Sequence, residues 1–435
     1  MTEFDIVQRA LDVVYDPRER FYNSKWNLLP EVKADLKLPK TVRFVDTTLR
    51  EGGENPWVIY PSKDKLRIAR ALEEIGIEEI DCGQPALSPE HRETVSIIKN
   101  ANLHLKVMAV TRLDVGNYRE IIDATIAAGA DVLETSIYGV PIPGCRTEAD
   151  YIRLVEQGVG YGKSRGACCA FWVPCTRWDP DFALKLYRAA VRGGADRLDY
   201  AGTGCVSPTA MKHMVRKLKE IAGDKPVGLH CHNHTGVGTA CAVTGVEAGA
   251  EVIHTSVNGM SDGGGIAAFE EVVMCLTQFY GLDLGIRLEK LTALSRLVQE
   301  ITGQKVHGWK PVVGNGVFVE TADSHLERIL LGRSKDKGMG KEADRARWST
   351  FGMKPEAVGQ EITLVFGPSA LVGRGIDAKA KTMGINLSEE MLQKIIGIMA
   401  KEFETRGPLS EGEMGELIQR CVNANSPAHR MGNDS

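Results

Sequence analysis

The sequence contains no apolar run of about 18 residues, the length a helix needs to cross a bilayer, because Gly, Arg or Asp interrupts every apolar stretch. No membrane partner is expected. It has no C-x-x-C pair. Its 10 cysteines are scattered, two of them adjacent at Cys168 and Cys169, so they read as reduced, mostly buried thiols rather than as a disulfide or zinc framework. Aromatic residues are few at 6%, and no charge sign dominates: 53 Lys plus Arg face 57 Asp plus Glu, a net −4. Such a chain offers no electrostatic footprint for a phosphate backbone, which excludes nucleic acid as the main partner. The first residues, MTEFDIVQRALDVVYDPRER, are charged and amphipathic and lack the apolar core and cleavage site of a secretory signal. The expected compartment is the cytoplasm.

What is present is a rhythm. Short apolar runs begin at Val42, Ile77, Leu105, Asp131, Ala167, Asp196, Pro226 and Glu251, and helix-length amphipathic segments separate them. The runs have the character of buried parallel strands. In the first intervening segment Leu66, Ala69, Leu72 and Ile75 recur at helical spacing, and a Gly closes several such segments as an αL cap does. Eight strand-helix units predict an α/β fold of the (β/α)8 TIM-barrel class over residues 41–283. A doubly wound sheet would place a Gly-rich phosphate turn after its first strand, where this chain has DTTLREGG. Residues 1–40 read as an extension, 284–421 as a helical appendage, and 422–435 as a disordered tail.

In such a barrel, chemistry belongs at the C-terminal ends of the strands. The first strand ends in Asp46, Arg50 and Glu51, and the seventh in His230, Cys231 and His232. Residues two apart on a strand share a side, so His230 and His232 can present two imidazoles to one ion, with Glu51 able to supply an oxygen. Two histidines and one carboxylate leave coordination positions open, as a catalytic rather than a structural metal site does. Zn, Mg and Mn all accept such a set. Away from a strand tip, an H-x-H pair would read as two hydrogen-bonded core histidines. Gln84, Arg112, Ser136 and Thr203 are polar tip residues suited to binding substrate. Arg112 could grip a distal carboxylate through both arms of its fork, favouring a dicarboxylic acceptor, whereas Trp57, Trp172 and Trp178 favour a more apolar pocket. Both readings stand at this point.

The segments DTTLREG from Asp46, GQPALSPE from Gly83, HCHNHTG from His230 and VNGMSDGGGIAAFEEV from Val257 together resemble the metal-dependent barrel enzymes that include 2-isopropylmalate synthase, homocitrate synthase and HMG-CoA lyase. The resemblance continues into the appendage, where VVGNGVFVETADSHLERIL is similar to the synthases' segment bearing a catalytic histidine, here His325. FGPSALVGRGIDAKAKTMGINLSEEML is similar to their second small subdomain. Glu51, where most relatives have Asp, and Ile266, where many have a metal-contacting Asn, resemble the homocitrate synthases. The chain departs from the family at Ser261-Asp262-Gly263 and at Ala201-Gly202-Thr203, and it lacks the lyases' catalytic Cys.

The resemblance implies a metal set of Glu51, His230 and His232, with Arg50 and Glu51 catalytic and His325 the base supplied in trans within a homodimer. It implies an acyl-CoA co-substrate, most simply acetyl-CoA, condensed with a small-molecule 2-oxo acid to give a homocitrate-like or alkylmalate-like product. A retro-Claisen lyase or aldolase on the same site, or a degraded barrel acting as a binding protein, are the alternatives.

Overall fold

The computed structural model describes residues 14–138, 141–175, 178–202, 205–333 and 351–424. They form two compact units, one spanning residues 24–306 and the other combining residues 14–23 with those from 307 onward.

The larger unit is a closed barrel of eight parallel strands. They are β1 (Arg43–Asp46), β2 (Glu79–Asp81), β3 (Lys106–Arg112), β4 (Val132–Ser136), β5 (Cys168–Pro174), β6 (Arg197–Gly202), β7 (Val227–Cys231) and β8 (Val252–Thr255). Each coincides with one of the runs read from the sequence, β3 reaching one residue past its run to Arg112. The barrel shuts where β8 pairs with β1, Val252 opposite Arg43 through Thr255 opposite Asp46. The helix after β1, α1 (Ser62–Ile75), buries Ile68, Ala69, Leu72 and Ile75 and leaves Leu66 half-buried. It ends on Gly76 at φ 113°, where a Cβ would also lie 2.4 Å from the Gly285 carbonyl oxygen, so only glycine fits.

The barrel interior is only partly apolar. Val45, Met108, Val132, Ala170 and Val252 form one cluster. Arg197 shares the interior, donating to Asp199 and to Glu79 at 2.9 Å each. Burying such a group costs desolvation, so it argues for organisation rather than for stability.

The unit does not stop at residue 283. Helix Leu291–Thr302 belongs to it, tied by the Arg287 N–H to the Ile75 carbonyl at 2.9 Å and by an Arg67–Glu300 ion pair at 2.9 Å. Sequence periodicity marks the end of the strand-helix rhythm, not the end of packing.

The smaller unit contains the expected helices, among them Asp323–Arg333, Arg374–Thr382, Glu389–Phe403 and Glu411–Ala424. They close around Leu326, Ile329, Phe366, Ile376, Ile395 and Ile418. It also contains a three-stranded sheet of Val319–Glu320, Thr363–Phe366 and Leu409–Ser410, strands too short to show a periodicity. Residues 422–424 finish the last helix, and the rest of the expected disordered tail lies outside the described residues. Among the described residues no helix is long and apolar enough to cross a membrane.

Candidate active site

Loops leaving the C-terminal ends of the strands enclose a cavity of about 250 Å³ lined by Arg50, Glu51, Gln84, Arg112, His230 and His232 among others. Six positions expected from the sequence therefore meet at one place. His230 is carried by the end of β7. His232 follows one residue beyond the strand and is held there by a bridge to Ile266. Glu51 sits in the turn after β1, where its N–H and that of Arg50 bond the Thr47 carbonyl. His230 Nε2 lies 3.1 Å from Glu51 Oε1 and 3.3 Å from His232 Nε2. One atom from each of the three residues falls within a 4.8 Å group.

The electrostatics suit a cation. Burial would raise the Glu51 carboxyl, but the Arg50 guanidinium and the adjoining imidazoles outweigh it and hold it well below the carboxylate range. Burial lowers both histidines, His232 to about 4 with help from His230. The set is thus a carboxylate and two neutral imidazoles at neutral pH, the protonation states a divalent ion needs. His232 Nδ1 is buried without a hydrogen-bond partner, 3.4 Å from Asp262 Oδ1. The donor set fits a divalent metal.

Several neighbours were not singled out as site residues in the sequence. Ser261 donates its hydroxyl to Glu51 Oε2, so the Ser261-Asp262-Gly263 departure is built into the site. Arg50 Nε donates to Asp81 Oδ2 at 2.8 Å, and its Nη1 pairs with Glu51. Beneath the histidines, His254 Nδ1 lies 3.4 Å from His230 Nδ1, and His254 Nε2 faces Asp199 Oδ2 at 3.5 Å. Burial, with the Asp81 and Asp199 charges, pushes the Glu134 carboxyl on the lining well above the usual range. The signal for Glu134 and His254 was a polar residue at an inward strand position, in LETS and VIHT.

Arg112 lines the cavity, and its Nε and Nη2 donate to Asp114 at 2.6 and 2.7 Å. Ser136 is fully buried with its hydroxyl unpartnered and is not part of the lining. Of the three tryptophans, Trp172 lines the cavity, and Trp57 and Trp178 do not. Thr203 lies outside the described residues. His325 is in the smaller unit, its Nδ1 2.9 Å from Glu320 Oε2.

Residues 41–298 match the family described as HMGL-like, more than half of the chain. The chain belongs to the HMGL-like family. A protein of Methanopyrus kandleri carrying the provisional description of an (R)-citramalate synthase is 35% identical over 92% of this chain and 76% of its own length. The homocitrate synthase AksA of Methanothermobacter thermautotrophicus is 31% identical over 93% of this chain and 97% of its own length. The 2-isopropylmalate synthase of Sulfolobus acidocaldarius is 30% identical over 88% of this chain and 96% of its own. These HMGL-like relatives are synthases, and the chain is an enzyme of the same family. Among solved structures, the HMG-CoA lyase of Bacillus subtilis superposes with a TM-score of 0.52 at 18% identity, over 62% of this chain and 96% of that one. At that identity the likeness speaks for the barrel fold alone.

Proposed function

We propose that the protein is a divalent-metal-dependent acyltransferase that condenses an acyl-CoA, most simply acetyl-CoA, with a 2-oxo acid. The observation that carries this reading is the convergence of Glu51, His230 and His232 beside Arg50 in one cavity at the barrel's catalytic end. A divalent ion held by those three ligands would supply Lewis acidity to the ketone of a chelating 2-oxo acid.

The remaining steps belong to side chains. Arg50, anchored by Asp81, stabilises the negative charge that develops on the ketone oxygen as the carbon nucleophile attacks. That nucleophile is the enolate of the acyl thioester, formed when a base takes a proton from its methyl carbon. We assign the base to His325, supplied by a second copy of the chain in a homodimer. Glu320 supports the assignment. A carboxylate at Nδ1 makes that nitrogen the N–H side and leaves Nε2 with a free lone pair. The enolate carbon bonds to the ketone carbon, the alkoxide takes up a proton, and water then cleaves the thioester to release free CoA.

Product identification tests the reaction and its direction. Incubating the metal-loaded protein with acetyl-CoA and a 2-oxo acid is expected to yield, by mass spectrometry, a 2-hydroxy acid extended by one acetyl unit and carrying one carboxylate more than the acceptor. Cleavage of such a hydroxy acid or its CoA ester, with no synthesis from acetyl-CoA, would assign the site to a lyase instead.

A further inference from the structure

The cavity carries little free positive charge. Among the described residues its lining has two guanidinium groups, Arg50 and Arg112, and both are engaged. Arg50 is committed to Asp81 and Glu51. Arg112 closes both arms on the buried Asp114 carboxylate, which also accepts the Tyr138 N–H at 3.0 Å, and its guanidinium lies over the Tyr138 ring at 5.3 Å. The Nε–Nη2 edge and one face are therefore taken, and the Asp114 carboxylate offsets the charge.

The rest of the lining adds the carboxyl groups of Glu54 and Asp262 besides Glu51, together with Glu134, which burial pushes toward its neutral form, and His234, whose Nδ1 accepts the Gly264 N–H. Between them stands an apolar wall of Val110, Tyr138, Trp172, Pro174 and Ala201, with the Tyr138 and Trp172 rings meeting edge to face at 6.0 Å. Among the described residues of the lining, a second carboxylate on the substrate would find no cation that is not already paired with an acidic side chain.

We infer that the acceptor is a 2-oxo acid with one carboxylate and a short apolar side chain, the side chain resting on the Tyr138–Trp172 wall and Asp114 disfavouring dicarboxylic acids by neutralising Arg112. This narrows the acyl transfer proposed above and rests on it. The 2-oxo acid head consumes the one carboxylate at the metal set, and the 250 Å³ cavity suits a small acid. Asp114 is a specificity determinant rather than a catalytic residue, since it touches Arg112 and not the reacting atoms.

The test uses the metal-loaded protein and two readouts: tryptophan fluorescence for binding of each acid without acetyl-CoA, and thiol release with it. The probes are pyruvate, 2-oxobutyrate, 2-oxoisovalerate and 2-oxoisocaproate against oxaloacetate and 2-oxoglutarate. The dicarboxylic acids are expected to be poorer by about 100-fold or more in both affinity and kcat/KM. In Asp114→Asn, with folding checked by circular dichroism, the ratio of dicarboxylic to monocarboxylic binding is expected to rise by about tenfold or more, because Arg112 is released. A dicarboxylic acid that binds and reacts as well as the best monocarboxylic acid overturns the inference and leaves the acyl transfer intact. Binding in the expected order without turnover supports the inference and removes the acyl transfer. No binding by any acid removes both.

Discussion

The Nδ1 atoms of His230 and His254 lie 3.4 Å apart in the buried floor of the site. Two ring nitrogens at that distance need one proton between them, and the surroundings decide its owner. Asp199 is fully buried, yet Arg197 holds its carboxyl below the usual range, so it accepts only. His254 Nε2, facing that carboxylate, is then the N–H side, its Nδ1 accepts, and His230 Nδ1 donates. With Nδ1 as its N–H side, His230 has Nε2 as the nitrogen that would offer a lone pair to a divalent ion held beside Glu51, the tautomer a metal ligand requires. His254→Ala is therefore expected to weaken divalent-ion affinity by about 10- to 100-fold, and His254→Asn, which keeps an acceptor, to recover part of it. Isothermal calorimetry measures this, and unchanged affinity in the alanine variant would contradict the relay.

The depressed His232 value makes a stability statement with a definite sign. Its pKa falls from 6.5 to about 4 on burial. Between those values the unfolded chain binds a proton that the folded chain refuses. The contribution is present above pH 6.5 and is lost as pH falls toward 4. Asp46, raised by burial to about 7, acts with the opposite sign, so the comparison is between metal-stripped wild type and His232→Ala. The wild-type melting temperature is expected to fall more steeply across that window than the variant's. Parallel curves would show that His232 is not desolvated.

Gly228 on β7 tests how tightly the interior is filled. A Cβ there would lie 2.0 Å from Asp199 Oδ1. Gly228→Ala is expected to cost about 1–3 kcal/mol in urea denaturation, because Asp199 is pinned by Arg197 and cannot retreat cheaply. Gly397, in helix Glu389–Phe403 with no atom near its missing Cβ, is the counterpart, and its alanine variant is expected to gain up to about 1 kcal/mol.

The assignment of His325 to a second subunit is tested by complementation. His325→Ala and His230→Ala are each expected to lose thiol release, whereas a mixture allowed to exchange subunits regains part of it. A mixture as silent as its components would place both residues in one chain's site, and full thiol release by His325→Ala alone would remove His325 from the chemistry.

Much of the barrel was legible because strands buried on both faces leave short, concentrated apolar runs, and all eight fall where those runs lie. Glu51, His230 and His232 could be grouped because side-chain parity and strand order are enough to bring tips together. The floor was not legible. Glu134, Asp199 and His254 alternate with apolar neighbours as any strand-tip polar residue does, and only the closed barrel shows that they face one another below the histidines. The pairing of Arg112 with Asp114 was not legible for a related reason. A guanidinium's partner depends on the path of the following turn, which brings Asp114 back onto it across two residues. The three-stranded sheet of the smaller unit was missed because two- to four-residue strands carry no pattern.

The central claim, that Glu51, His230 and His232 hold the divalent ion on which acyl transfer depends, is tested most directly by stripping the protein with a chelator and titrating Zn, Mg or Mn back while following thiol release from acetyl-CoA with a 2-oxo acid. Wild type is expected to be silent when stripped and to recover with about one ion per chain, while Glu51→Ala and His230→Ala bind no ion and stay silent. Full thiol release from the stripped protein, or recovery in either variant at the wild-type metal concentration, would contradict it.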